Sequence, residues 1–390
     1  MRVIIGGDTV PTKRNYNAFS DGDLESLIGE KLLYDLNAAD LVILNLETPL
    51  VNEESPIEKA GPHLKAPTDS INALRKIKSL FFTLANNHIY DHGEKGLNST
   101  IEILKKNNIP FSGIGNNLEE ASRPYIYKTD GMNLGIYCCA EHEFSIATET
   151  RSGANPFDPL ESFDHIQTLK HQCDFIIVLY HGGKEHYRYP SPQLQRICRK
   201  FIDKGANLVI CQHSHCIGCE EDWNKGKIIY GQGNFLFDYM DNDFWQTSLL
   251  LDLEIKSNHF NIKYIPIIKR KECIRLADLK QKKDILSQFY LRSNQIKNPG
   301  FIQSQYQTFA KNMQWEYLSA FAGKITKNIF YRILNKLSGY KFSPWYLNKR
   351  YGMLQRIFIE NYVECEAHRE LLIQGIKSKV KSDNLEYEKK

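Results

Sequence analysis

Side chains that can bind metals follow five apolar, strand-like runs of the sequence. The polar residues at the ends of these runs are Asp8, Glu47, Asn87 with His88, His181, and His213 with His215. Because the carboxyl ends of parallel strands meet at one edge of a sheet, we expect these side chains to lie close together. Carboxylate and amide oxygens bind hard divalent cations, and imidazole suits zinc, iron and manganese. The set is large enough for two ions, which in a shared site clamp the attacking and leaving oxygens of phosphoryl transfer.

Each of these residues alone has a simpler structural explanation. A lone histidine at a strand end commonly forms a structural hydrogen bond, Asp8 could cap a helix, and Asn87 could occupy a turn. The pair His213 and His215 is harder to explain in this way, because two imidazoles two residues apart are a costly arrangement without a partner. Together the five strand ends predict a site for one or two divalent ions, with Mn, Fe, Zn or Mg as candidates.

Strands and helices alternate through the first part of the chain. Short continuous apolar runs predict strands covered on both faces, at residues 3–5, 41–44, 81–84, 175–180 and 208–211. Apolar residues at helical spacing predict helices over 94–107 and 192–204. The alternation predicts an α/β, layered domain over residues 1–270, followed by a basic, aromatic-rich helical region over 271–390.

The order of six short motifs resembles the CapA family of bacterial capsule or poly-γ-glutamate synthesis proteins. The motifs are Gly7-Asp8, Asn45-Leu46-Glu47-Thr48-Pro49, Ala85-Asn86-Asn87-His88 with Asp91 and Gly93, His181-Gly182-Gly183 with Glu185, His213-Ser214-His215, and Gly231-Gln232-Gly233-Asn234-Phe235 with Asp238. This family is similar to the calcineurin-like metallophosphoesterases. The resemblance covers residues 1 to about 268 and implies a metallophosphoesterase-like αββα sandwich, to which the helical C-terminal region is appended.

The resemblance also implies roles for individual residues. The implied metal ligands are Asp8, Glu47, Asn87, His181, His213 and His215. His88 matches the catalytic histidine that protonates a leaving group. The first phosphoesterase motif usually carries a histidine two residues after its aspartate, whereas this chain has Val10. One ligand is therefore missing, which leaves a single-ion site or a second ion held by other groups as alternatives.

Further residues belong to the CapA pattern or lie near its motifs. Asp91 is expected to hydrogen-bond His88 and fix its tautomer, and Glu185 to orient His181 or bind substrate. Asn234 and Asp238 are candidates for substrate binding. Loop scaffolding is the alternative explanation for all four residues. Lys65 is a candidate contact for phosphate or carboxylate, with a solvated lysine as the alternative.

Charge is distributed unevenly along a chain whose formal net charge is +4. Residues 1–260 carry 25 basic and 35 acidic residues, whereas residues 261–390 carry 25 and 11. Residues 285–359 hold eleven Lys or Arg, one acid and sixteen aromatic side chains. Such a segment suits an anionic membrane surface or an anionic polymer, and a helical appendage packed on the catalytic domain is the alternative. We expect an amphipathic helix over 318–337, partly buried.

The cysteine count and the lack of membrane-spanning or signal patterns predict the cellular compartment of the protein. The nine cysteines are an odd number, which favours reduced thiols, and the sequence has no apolar run of about 18 residues and no signal peptide pattern. These features predict a cytoplasmic protein, peripheral to the inner membrane at most. The resemblance implies an anionic capsule polymer or a phosphorylated precursor as partner, and no nucleic-acid motif is present.

The function favoured by these features is metal-dependent hydrolysis of the phosphoesterase type in capsule or poly-γ-glutamate synthesis. Two alternatives stay open. The same metal site could hydrolyse an amide such as a γ-glutamyl bond. The chain could also be a non-catalytic capsule assembly factor bound to the membrane surface through residues 285–359.

Overall fold

The strands come mainly from the first three quarters of the chain. The structure is a computed structural model that describes residues 1–129, 131–238, 240–256, 259–364, 368, 369 and 372. Its strands are β1 (Arg2–Val10), β2 (Leu41–Leu46), β3 (Leu80–Thr83), β4 (Phe111–Ser112), β5 (Ile114–Gly115), β6 (Tyr125–Thr129), β7 (Met132–Ala140), β8 (Gly153–Ala154), β9 (Phe175–His181), β10 (Leu208–Gln212), β11 (Glu220–Trp223), β12 (Gly226–Tyr230), β13 (Leu236–Phe237), β14 (Thr247–Ile255), β15 (Phe260–Arg270) and β16 (Cys273–Leu276).

Helices connect these strands and make up the C-terminal region. They are α1 (Tyr16–Ser20), α2 (Leu24–Ile28), α3 (Glu30–Asn37), α4 (Ile71–Leu74), α5 (Gly93–Lys106), α6 (Leu118–Ala121), α7 (Ser162–Lys170), α8 (Pro192–Lys204), α9 (Leu279–Gln295), α10 (Phe301–Phe321), α11 (Ile329–Leu337), α12 (Phe342–Arg350) and α13 (Met353–Glu364). Two short 3₁₀ segments span Thr68–Ser70 and Gly323–Lys327. The predicted helices over 94–107 and 192–204 are confirmed as α5 and α8.

Two sheets carry most of the strands. The eight-stranded sheet runs β16-β15-β14-β1-β2-β3-β4, with β13 beside β1, and the six-stranded sheet runs β11-β12-β10-β9-β7-β6. Neighbours β1, β2 and β3 are parallel, as are β7, β9 and β10. β5 and β8 form a separate antiparallel pair.

Side-chain alternation along β9 shows how the layers are built. Ile177 and Leu179 lie in a buried core that also contains Ile43 of β2, so this face of β9 packs against the other sheet. Val178 lies in a second core that contains Phe201 of α8, so the opposite face is covered by helices. The predicted layered α/β architecture of sheets flanked by helices is confirmed.

One expectation about the strand ends that carry the candidate metal ligands was wrong. The strand ends that carry the candidate ligands were expected to belong to a single sheet, but β1, β2 and β3 belong to the eight-stranded sheet, and β9 and β10 to the six-stranded sheet. The reason is that β7 starts a second sheet, with which β9 pairs in parallel. The candidate ligands therefore come from two stacked sheets.

The chain divides into two compact units, Met1–Tyr306 and Gln307–Lys390. The boundary predicted at residue 270 lies inside the first unit, because β16 pairs with β15 and Phe289 of α9 is fully buried in the main core. Residues 373–390 of the predicted C-terminal region lie outside the described part of the chain. No helix in the described part is both long enough and apolar enough to cross a membrane.

The second unit has its own small apolar cluster, formed by Ala322, Leu347 and Tyr351. The continuous helix predicted over 318–337 is wrong. Its backbone is helical to Phe321, then 3₁₀, and α11 begins anew after Asn328, whose side chain accepts a hydrogen bond from the Phe330 backbone N–H. The side chains of Lys324 and Ile325, which were placed on the predicted helix, lie outside the described part.

Candidate metal centre

Four predicted ligands meet around the Nε2 atom of His181. This atom lies 3.3 Å from Glu47 Oε1, 3.0 Å from Asn87 Oδ1 and 3.1 Å from His213 Nδ1. The donor atoms of Glu47, His181 and His213 all lie within 4.8 Å of one another. The ends of β2, β9 and β10, with the loop after β3, thus form one group of two oxygen and two nitrogen donors, which we call donor group A.

A second group of donors also contains Glu47. Donor atoms of Asp8, Glu47 and His215 also lie within 4.8 Å of one another, and His215 Nδ1 is 3.3 Å from Asp8 Oδ2. We call this donor group B. Because Glu47 belongs to both groups, the six predicted ligands form one continuous cluster.

Glu47 is the residue on which the cluster depends. Its side chain is fully buried, and neither carboxylate oxygen has a hydrogen-bond partner among the described residues. Burial, with the nearby charge of Asp8, raises the pKa of Glu47 well above its usual range. A buried carboxylate without hydrogen-bond partners is costly unless a proton or a cation neutralises it.

The three imidazoles differ in their electrostatics. Burial lowers the pKa of His181 to about 4 and, with the neighbouring histidines, lowers the pKa of His213 well below its usual range. Both rings are therefore neutral near pH 7, as metal ligands must be. At His215 burial also opposes the charge, but the carboxylates of Glu47 and Asp8 outweigh it and raise the pKa to about 9. Without a metal, His215 therefore holds a proton that balances those carboxylates.

The backbone that carries the last two histidines is unusual. His213 and His215 both have positive φ, at 92° and 53°. Residues other than glycine rarely adopt these angles, and such strain is concentrated at functional sites. The segment after β10 thus turns both rings towards the cluster at a cost in backbone strain.

Two asparagines that were not predicted as site residues form hydrogen bonds with the cluster or with each other. The Asn45 amide nitrogen donates to Asp8 Oδ1 at 2.8 Å and lies 3.1 Å from His181 Nδ1. The Asn86 amide nitrogen donates to Asn45 Oδ1, and the Asn86 side-chain oxygen Oδ1 accepts the backbone N–H of His88. Such contacts orient metal ligands. Asn45 is two residues before Glu47 at the end of β2, which was a signal available in the sequence.

His88 lies beside the cluster with its Nδ1 atom 2.6 Å from Asp91 Oδ2, so the expected contact between these two residues is present. Asp91 also accepts the backbone N–H of Leu64 and forms an ion pair with Lys59. The Lys59 side chain is only 2% exposed, and its Nζ is 3.2 Å from His88 Nδ1. Nothing in the sequence pattern marked Lys59, because it lies in an irregular loop.

The remaining candidates lie around this centre. Glu185 is half-buried after β9, close enough that its charge contributes to the raised pKa of Glu47. Asn234 Oδ1 lies 2.9 Å from His215 Nδ1, so this predicted substrate contact is placed against donor group B. A further unpredicted residue, Glu143, accepts from the Asn87 amide at 3.2 Å.

Lys65 and Asp238 form ion pairs with other charged side chains. Both help to line a cavity of about 550 Å³ that also contains Val10. The Lys65 ammonium is 3.0 Å from Glu54, and the Asp238 carboxylate is held between Arg14 at 2.9 Å and Lys269 at 3.1 Å. Their predicted role in substrate binding stays a prediction.

Known proteins resemble this chain in sequence. The family model described as "Bacterial capsule synthesis protein PGA_cap" matches residues 2–239. The capsule biosynthesis protein CapA of Bacillus anthracis is 27% identical over 212 residues, which are 52% of this chain and 52% of that protein. The PGA biosynthesis protein CapA of Bacillus subtilis is 28% identical over 206 residues, 52% of this chain and 54% of that protein. The matches thus span about half the length of these relatives.

A solved structure described as a novel phosphatase from Mycoplasma pneumoniae superposes with a TM-score of 0.41 and 16% identity, covering 73% of this chain and 96% of that chain.

Proposed function

This chain belongs to the PGA_cap family of bacterial capsule synthesis proteins, and from that premise we propose that it is a divalent-metal-dependent hydrolase of the phosphoester type. We further propose that it acts in making or attaching an anionic capsule polymer such as poly-γ-glutamate. The observation that carries the proposal is the pair of donor groups that share Glu47 and lie beside His88.

The donor set fits a divalent ion. Both Glu47 oxygens are buried without hydrogen-bond partners among the described residues, which is the environment that a bound cation would satisfy. Carboxylate, amide and neutral imidazole donors together suit Mn, Fe or Zn. The residues that would hold the ions are Asp8, Glu47, Asn87, His181, His213 and His215. When bound, such ions supply Lewis acidity that polarises a phosphoryl oxygen and activates water.

His88 is the residue that we assign to proton transfer. Its Nδ1 atom contacts Asp91, so Nε2 is the ring atom left to protonate a departing oxygen. Asp91 fixes the orientation of the ring, and Lys59 balances the charge of Asp91 inside the protein. Burial lowers the pKa of His88, and the contact with Asp91 opposes that shift and favours the proton on the ring. The donor groups would hold the metal ions.

The proposal is tested by metal content and turnover of the purified full chain. We expect Mn, Fe or Zn by elemental analysis, and metal-dependent release of nitrophenolate from bis(4-nitrophenyl) phosphate. The His171→Ala variant, which removes an exposed histidine of the first unit, is the control and should leave both unchanged.

Each alternative gives a different result in the same assays. Turnover of γ-glutamyl-4-nitroanilide without turnover of the phosphodiester would favour amide hydrolysis over the proposed phosphoester hydrolysis. Metal binding without turnover of either compound would favour a non-catalytic assembly factor. A chain that binds no metal after equilibration with Mn²⁺ or Zn²⁺ would contradict the proposed metal centre.

A further inference from the structure

Donor group B is one ligand short of donor group A if only the six predicted ligands are counted. Group A has Glu47, Asn87, His181 and His213, whereas group B has Asp8, Glu47 and His215. We infer that Asn234 completes group B by donating its side-chain amide oxygen to the ion held there. This inference rests on the metal-dependent function proposed above and extends it to a ligand that the motifs did not assign.

The position of the Asn234 side chain is the first observation in support. Its Oδ1 lies 2.9 Å from His215 Nδ1, the same atom that lies 3.3 Å from Asp8 Oδ2. The residue is 7% exposed, and its amide nitrogen has no hydrogen-bond partner among the described residues. The contact with His215 satisfies the oxygen of this side chain only, and a buried amide that leaves its N–H groups unpaired is unfavourable.

The backbone around Asn234 supplies a second, independent observation. β13 pairs in parallel with the end of β1, with Leu236 opposite Thr9, and the Phe235 N–H donates to the Asp8 carbonyl at 2.9 Å. A Cβ atom on Gly7 would lie 1.9 Å from the Gly233 carbonyl oxygen. Only glycine at position 7 allows this approach, which sets Asn234 beside Asp8.

The side chain at position 10 explains why group B would take its fourth ligand from outside β1. The resemblance to phosphoesterases implies a histidine at this position, but Val10 is 2% exposed and packs in an apolar cluster with Leu64 and Trp245. β1 therefore offers no imidazole to group B. Its neighbour β13 begins two residues after Asn234, and the loop before it brings the amide oxygen to the cluster.

The substitution of an amide for an imidazole changes the chemistry of the group. Asp8, Glu47 and Asn234 would contribute oxygen, and only His215 would contribute nitrogen. Oxygen-rich sets prefer harder cations such as Mn²⁺ or Mg²⁺, whereas imidazole-rich sets favour Zn²⁺. We therefore assign group B to a hard divalent ion of the Mn²⁺ type.

The test is the Mn²⁺ stoichiometry and affinity of the full chain, measured by equilibrium dialysis with elemental analysis. Wild type should bind two Mn²⁺ per chain, and Asn234→Leu should keep one site and lose affinity for the other by about 10-fold or more. Asn72→Ala, which removes a half-buried asparagine that donates to the Ser20 carbonyl, is the control and should bind as wild type does.

A second variant keeps the test decisive if Asn234→Leu does not fold. Asn234→His should raise the Zn²⁺-to-Mn²⁺ affinity ratio of one site about 10-fold, because it adds an imidazole donor. Two Mn²⁺ of unchanged affinity in Asn234→Leu, or an unchanged ratio in Asn234→His, would overturn the inference and leave the proposed function intact. A wild-type chain that binds no metal would overturn both, and one that binds a single ion unaffected by Asn234→Leu would overturn only the inference.

Discussion

The two units of this chain depart in opposite ways from the usual rule that polar side chains are exposed and apolar side chains are buried. In the first unit, charged and polar groups are packed inside, and Glu47 is fully buried without a hydrogen-bond partner among the described residues. In the second unit, large apolar side chains of α11 are exposed, with Ile329 at 65%, Phe330 at 73% and Leu337 at 79%. The first arrangement is costly unless a proton or a cation neutralises the carboxylate, and the second leaves large apolar side chains in contact with water.

The largest effect should come from His88, the residue beside the cluster that we propose as proton donor. We expect His88→Ala to lower turnover of the phosphodiester by about 100-fold or more, because general acid catalysis contributes on that scale. Metal content should stay nearly unchanged, since His88 contacts Asp91 and is not a member of either donor group.

The matched variant is His213→Ala, which removes a member of group A and should lose metal as well as turnover. Elemental analysis of the two variants side by side separates acid from ligand. Equal metal loss in both would show that His88 has been assigned the wrong role.

A smaller effect is expected from the buried lysine. Lys59→Met should lower kcat by about 10-fold, with KM and metal content little changed, because Asp91 loses the cation that pairs with it and no longer fixes His88 firmly. Steady-state kinetics with elemental analysis checks this. Lys95→Met removes a lysine that is half exposed and paired with exposed Glu53, and should have no effect. Unchanged kcat in Lys59→Met, or metal loss, would contradict the positioning role.

The buried charges also predict how the metal-free protein responds to pH. The pKa of His215 is raised to about 9 from an ordinary value of 6.5. A group whose pKa is higher in the folded chain contributes stability below its unfolded pKa and loses that contribution as pH rises through its folded pKa. We therefore expect the melting temperature of the metal-free protein to fall between pH 6.5 and 9.

Thermal unfolding in a chelating buffer measures this fall. Saturating Mn²⁺ should remove most of it, because the ion replaces the proton at the carboxylates. Glu47→Gln should reduce it, since Glu47 is one of the carboxylates that raise the His215 pKa. Glu53→Gln, on an exposed carboxylate, should behave as wild type. A constant melting temperature across this range would argue against a proton held at His215.

The smallest effect concerns the second unit and an anionic membrane surface. Residues 307–359 carry nine Lys or Arg and one acid, and α11 presents exposed Phe330 and Leu337. We expect the full chain to sediment with vesicles that contain anionic lipid at low salt and to be released at about 0.5 M salt, since each cation near such a surface contributes about 1 kcal/mol.

A double variant gives this measurement its control. Arg332→Glu with Lys336→Glu should weaken binding, whereas Arg75→Glu with Lys76→Glu, on exposed residues of the first unit, should weaken it less. Absence of binding at low salt, or binding that added salt does not change, would contradict the electrostatic contact and leave an anionic polymer as the partner to test.

Local sequence determined the elements and the chemical character of the site. Continuous apolar runs set the strands, because strands covered on both faces need such runs, and the polar residues that follow them are the donors in the structure. Asp8, Glu47 and His213 could therefore be proposed from the sequence. The helix expected over 318–337 failed because its periodicity gave no sign of the break before Asn328.

Tertiary structure decided which residues far apart in sequence meet at the site. The contact of Lys59 with Asp91 and that of Asn234 with His215 depend on the paths of loops, which have no periodicity to interpret. The division of the strand ends between two sheets likewise depends on strand pairing, which joins segments that are far apart in the sequence. Residue types along the chain specified what could bind a cation, whereas packing alone specified that Glu47 belongs to both donor groups and is fully buried, so that its charge must be neutralised there.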